Sequence, residues 1–163
     1  MPKKVFFSFH YVPDNWRVSQ VRNIGVIEEN PAASDNKWEE VKGGGDKAIQ
    51  KWIDDNMSGK TCVIVLIGNG TANRKWINYE IEKAWKDKRG IVGIHIYELK
   101  NKDSEKGKKG NNPFDYVSVD GKKLSSLVKV YDPPQVDSKE VYNHISENIG
   151  KWIDEAIEIR NRN

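Results

Sequence analysis

A chain of 163 residues with a net charge of +3 has room for one domain and one hydrophobic core, and its charge is too slight for the basic, aromatic-interleaved stripe that nucleic-acid binding requires. With 37% hydrophobic and 31% charged residues, and with six Trp, six Tyr and four Phe inside periodic segments, the composition excludes wholesale disorder and describes a soluble globular protein. The lone Cys62 cannot make an internal disulfide, and the five apolar residues near the N-terminus are too few for a secretory leader or a membrane span, so a reducing cytoplasmic setting with an inert buried thiol is expected.

The first predicted element is the apolar run "VFFSF" (Val5 to Phe9), a strand, followed by a helix from Asn15 to about Asn23 with Asp14 as its cap. Ala48, Ile49, Trp52 and Ile53 form a 3.6-period stripe in a second helix, which Gly59 should stop. "CVIVLI" (Cys62 to Ile67) is a second strand. A Gly/Asn/Thr turn leads from it into a helix with a core stripe of Ile77, Ile81, Ala84 and Trp85. "IVGIHIY" (Ile91 to Tyr97) is a third strand, and the alternating "LVKVY" (Leu127 to Tyr131) suits a sheet edge. Between them the polar stretch at about 100–112 reads as a solvated loop, expected to be mobile without ligand and dispensable for folding. The chain closes with an amphipathic helix at about 138–160, capped by Ser138, with Val141, Ile145, Ile149, Trp152, Ile153, Ala156 and Ile157 on one face.

Strands that are almost continuously apolar are buried on both faces, which is the condition of a parallel sheet covered by helices on either side. Alternation of such strands with helices predicts one open α/β domain over 1–163. Ligands of this architecture bind outside the carboxyl ends of the strands. In this chain those ends are Ser8 to Tyr11, Gly68 to Thr71, and Tyr97-Glu98.

Most familiar chemistries fail on residue type. "GNGTANRK" lacks the Gly-Lys-Ser/Thr ending of a phosphate loop, and His10, His95 and His144 stand in separate elements with no metal spacing, so no metal is expected. His95, inside a strand, reads as a hydrogen-bonded core residue, whereas His10, just beyond a strand end, can reach a ligand. A phosphoacceptor receiver would need clustered acids after the first strand, where this chain has Ser8, Phe9 and His10. The pair Glu39-Glu40 beside Trp38 reads as ordinary surface.

Glu80 is the position that needs weighing. It falls about 60° from Ile77 on a helical wheel, at ~100° per residue, and one turn beyond Trp76. Two readings stand side by side: a partly exposed Glu paired with Lys83 or Lys75, or a functional carboxylate at the margin of the buried face.

"KVFFSFHYVPDNWR" (Lys4 to Arg17) is similar to the opening of TIR domains, and "SGKTCVIVLIGNGTANRKWINYEI" (Ser58 to Ile81) resembles the TIR stretch in which a Trp precedes a Glu by four residues. With "WEEV", "GGDKAIQKWI" and "NPFDYV" (Asn112 to Val117), residues 4 to 117 look more narrowly like the TIR-like proteins of bacterial Thoeris anti-phage systems. The resemblance implies a flavodoxin-like TIR fold. It also implies an enzyme that uses NAD as substrate rather than cofactor and cleaves the nicotinamide–ribose bond with Glu80 as the catalytic residue. The expected product is a cyclic ADP-ribose isomer that diffuses to a separate effector protein, under control of a phage trigger and with homo-oligomers a common state of the family. On this reading Trp76 stacks on nicotinamide or packs in the core. Phe6, Ser8 and His10 face the adenosine or phosphate side. Arg74 pairs with pyrophosphate or lies on the surface, and Asn112 closes over the ribose or only shapes a turn. The alternative is a non-catalytic TIR module that acts by homotypic assembly, with Glu80 a surface residue.

Overall fold

The computed structural model describes residues 3–27 and 44–163, with the backbone alone at 11–13. Glu39-Glu40 and Trp38 lie outside the described residues. In chain order the elements are β1 (Val5–Ser8), α1 (Tyr11–Arg22), α2 (Gly45–Met57), β2 (Cys62–Ile67), α3 (Lys75–Lys86), β3 (Gly90–His95), a 3-10 turn (Pro113–Tyr116), β4 (Ser118–Val119), β5 (Lys122–Lys123), a second 3-10 turn (Leu124–Ser126), β6 (Lys129–Tyr131) and α4 (Ser138–Arg162).

Four strands form one sheet in the order β1-β2-β3-β6, every pairing parallel. β6 takes the edge, as its alternation requires; β4 and β5 make a separate two-residue antiparallel pair. On the far side of β1, Lys3 bridges Ile27 in parallel, with Lys3 N–H donating to Val26 O at 2.7 Å. From β1 the chain therefore first steps one way, to Ile27, and then the other, to β2. The order of the sheet reverses there, so the crevice between the carboxyl ends of β1 and β2 is the topological switch point.

The period-2 alternation of each strand divides the core in two. Phe7, Phe9, Ile64, Leu66, Val92 and Ile94 face α1 and α4 with Val18, Val21, Ile145, Ile149 and Ile153. Phe6, Val63, Val65, Ile67 and Ile91 face α2 and α3 with Ile49, Ile53, Ile77 and Ile81. Helices thus cover both faces of a flavodoxin-like sheet. Cys62 is buried in the first of these layers, and desolvation pushes its thiol pKa far up, so it is unreactive.

Three local expectations are corrected. Helix α1 begins at Tyr11, so Asp14 is in its first turn and His10 takes the cap position, without a side-chain cap bond. Pro13 is compatible with this early start because the first turn has no use for its missing N–H. The cap of α4 is Asp137, whose carboxylate accepts from Lys139 and Glu140 N–H; Ser138 Oγ instead accepts from Lys100 N–H.

The polar loop is solvated, as expected, but it is not loose. The buried Arg17 donates from Nε to Leu99 O at 2.7 Å and from a terminal nitrogen to Glu105 O at 2.9 Å, while Gly107 N–H bonds Tyr97 O. Lys106 reaches both Glu98 and the carbonyl of Val136. Gly110 lies directly on the turn after β2, where a Cβ would come 2.1 Å from Gly68 O. Shortening this loop would strip the Glu105 carbonyl from a buried guanidinium, so a cost in stability is expected.

Gly90 marks a close approach of the sheet to α4. A Cβ there would stand 2.6 Å from Ile157 N and 2.8 Å from Ala156 C, both backbone atoms that cannot rotate away. Gly90→Ala is expected to lower unfolding free energy by about 1–3 kcal/mol, read as a shifted urea midpoint; an unchanged midpoint would mean that α4 sits farther from β3.

Candidate functional site

Two short turns define the site, one after β1 and one after β2. The second is held by Thr71, which is fully buried and whose Oγ accepts from Gly68 N–H at 2.8 Å, and it passes through Asn73 in the left-handed region (φ 61°) before Arg74 caps α3. Asn tolerates that conformation better than most residues. The α3 axis is thereby aimed so that Glu80 points back at the end of β1.

Glu80 is completely buried on the core face of α3, between Ile77 and Ile81. Ser8, also fully buried, donates from Oγ to Glu80 Oε1 at 2.6 Å across 72 residues of sequence. A short O–H···O contact of this kind is typical of a charge-assisted bond. The surface reading of Glu80 is corrected by this burial and by its neighbours. Lys75 pairs instead with Asp46, and Lys83 with Asp54 and Asp87.

The other sequence candidates divide. His10 lines a cleft of about 410 Å³ together with Asp14, Arg17, the 68–70 turn, Tyr97 and residues 106–108. Arg74 is near enough for its charge to depress the His10 pKa, second to desolvation as a cause. Phe6 does not line this cleft: it is one pleat deeper than Ser8 on the same side of β1 and is sealed in the α2–α3 core layer. Trp76 packs against that layer and meets Tyr79 edge-on, with ring centroids 5.5 Å apart. Asn112 caps the 3-10 turn, its side chain accepting from Phe114 N–H at 2.9 Å. The structure therefore unites Ser8 with Glu80 and brings Arg74 near His10, while Phe6, Trp76 and Asn112 have packing or capping roles in it.

Sequence reasoning missed Asp14 and Arg17. Both are buried, at 3% and 6% exposure, and they face each other at 3.4 Å. Their i, i+3 spacing in "DNWR" was the available signal, but Asp14 was read as a cap. Desolvation raises the Asp14 carboxyl pKa above its ordinary value, against the opposing pull of Arg17.

His95 departs from the expectation of a hydrogen-bonded core residue. Its Nδ1 is buried without a partner among the described residues, and its ring meets Tyr97 edge-on with centroids 5.9 Å apart. Among the described residues there is no cluster of His, Cys, Asp and Glu fit to hold a metal, and no helix is long and apolar enough to cross a membrane.

A covered parallel sheet with its switch point at β1–β2, and a helix-borne Glu one turn after a Trp facing that point, define a TIR-like α/β domain. Residues 6–101 match the family described as "Thoeris protein ThsB, TIR-like domain", and the chain belongs to that family. The match spans Ser8, Trp76 and Glu80 but stops short of Asn112. The chain is also 41% identical over 133 residues, covering 76% of its own length and 69% of the relative's, to a Bacillus cereus (strain MSX-D12) protein named "Putative cyclic ADP-D-ribose synthase ThsB1".

Two measurements probe this geometry. Ser8→Ala removes the donor to a buried oxygen and is expected to cost about 1–3 kcal/mol in urea unfolding; a change within experimental error would show that the bond does not form. For His95, desolvation is the largest cause of a pKa below 6.5, ahead of Asp132, which raises it, and Lys109, which lowers it. The folded state then favours the neutral ring, so the associated stability is present above pH 6.5 and is lost as pH falls through the lowered folded value. His95→Phe is expected to flatten the stability–pH curve below 6.5, leaving the slope that His10 contributes with the same sign.

Proposed function

We propose that this protein consumes NAD, cleaving the nicotinamide–ribose bond and closing the remainder into a cyclic ADP-ribose-type signal for a separate effector in anti-phage defence. The observation that carries this reading is the buried Ser8–Glu80 bond, which fixes a helix-borne carboxylate at the carboxyl end of β1. The name of the Bacillus cereus relative supports the product class.

The chemistry asks for one anion rather than a nucleophilic triad. Nicotinamide departs as a neutral molecule, taking the bonding pair onto its ring nitrogen, so no general acid is required. Positive charge develops at C1′ of the ribose as an oxocarbenium-like transition state. A fixed carboxylate beside that centre stabilises the transition state more than the substrate. A nucleophile at the other end of the same molecule then captures C1′, loses its proton and closes the ring. Ser8 is the positioning residue: its bond to Oε1 orients the carboxylate. Arg74 and His10 lie on the side where the pyrophosphate would run.

Glu80 is fully buried in this structure, so turnover requires the site to open. A phage component acting as trigger in the cytoplasm would supply that opening.

Glu80→Gln tests the assignment. The amide oxygen can still accept from Ser8 Oγ, so the variant is expected to fold and accumulate, while nicotinamide release and cyclic product during infection fall by about 10²-fold or more. Mass spectrometry of small molecules from infected cells reads both. Product at the original level from the folded variant would overturn the catalytic role and favour a module that acts by assembly.

A further inference from the structure

We propose that the cleft between α1 and the 106–108 strap is a pocket for the ribose 5′-phosphate part of a nucleotide, with Asp14 receiving the ribose hydroxyls and Lys106 and Lys108 facing the phosphate. Naming the occupant as the adenylate half of NAD rests on the function proposed above. The pocket itself rests on different residues from Glu80.

The floor of the cleft is polar and incompletely satisfied. Asp14 is 3% exposed, and Arg17 engages only its Oδ1; Oδ2 is buried with no hydrogen-bond partner among the described residues. His10 Nδ1 is in the same condition. A buried carboxylate oxygen without a donor is costly, and native structures leave few such atoms without reason. Vicinal hydroxyls supply the neutral donors that this oxygen lacks. A phosphate placed directly on it would be repelled, so the anionic end must point outward.

The outward end suits an anion. Lys106 and Lys108 stand on the rim, and Lys108 is exposed. Lys106 pairs with Glu98 at 3.0 Å and also reaches the carbonyl of Val136. A volume of about 410 Å³ accommodates one nucleotide half and not a whole dinucleotide. The 68–70 turn packs against the two unsatisfied atoms. A Cβ at Gly68 would fall 2.2 Å from Asp14 Oδ2, and one at Gly70 would lie 3.4 Å from His10 Nδ1. Glycine at these two places allows the turn to lie against Asp14 and His10.

The test is calorimetric titration of the intact protein with AMP, with 2′,3′-dideoxy-AMP and with inorganic phosphate. AMP is expected to bind, the dideoxy compound about tenfold or more weaker, and phosphate weakest. Asp14→Asn should abolish the preference for the diol, and Lys108→Glu, at an exposed position that folding does not depend on, should weaken AMP several-fold. Glu80→Gln should bind AMP as the wild type does. Absence of AMP binding, or equal binding of AMP and its dideoxy analogue by the wild type, overturns the pocket even if Asp14→Asn fails to fold. If AMP does not bind while Glu80→Gln abolishes nicotinamide release, only the pocket is wrong; if AMP binds as expected but Glu80→Gln keeps its activity, only the catalytic reading is.

Discussion

A carboxylate can be placed inside a protein only if something there takes the place of water, and in this chain that task falls to the hydroxyl of Ser8. The 2.6 Å bond from Ser8 Oγ to Glu80 Oε1 joins the first strand of the sheet to the third helix. Both residues have no exposed surface, so an unmet hydrogen bond at either would carry the full desolvation penalty. The bond constrains much around it. β1 must be paired to β2 in the register Ser8↔Val65, and α3 must leave its turn at an angle that brings its seventh and sixth residues, Ile81 and Glu80, to the same side.

The remaining architecture supplies that rigidity. β2 is paired with β3 over all six of its residues and with β1 over the first four, and all six are buried. Around it, alternate side chains anchor helices on either face, so the β2–α3 turn is attached to the best-packed part of the fold. Thr71 then fixes the turn itself. Where function needs movement, the structure uses polar main chain and glycine: the 68–70 turn lies under Gly110, and the strap above is tied through Arg17 to two carbonyls.

Electrostatics divides the crevice into two parts. On the α3 side stands Glu80 with Ser8. On the α1 side, Asp14 and Arg17 form a buried pair, with lysines at the rim. Burial moves the Asp14 carboxyl and the His10 ring in the same chemical direction, toward their neutral forms, the first by raising its pKa and the second by lowering it.

The sequence by itself determined the strands, the alternation of strand and helix, the parallel sheet and the apolar stripe of α4, because burial on one or both faces writes a period of 2, 3.6 or none directly into residue order. It also marked Glu80 and Trp76 through a spacing that survives without coordinates. Tertiary structure decided which side chains share a surface. Whether Glu80 met Lys83, Lys75 or nothing on its own helix could not be told from a wheel; its partner is 72 residues away and became a neighbour only through the β1–β2 pairing. The same holds for Asp14, which local rules read as a cap. Its burial depends on the turn after β2 and on Arg17 being held by a loop more than 80 residues distant. Periodicity is a local property of the chain, whereas the satisfaction of a buried charge depends on what the fold brings against it.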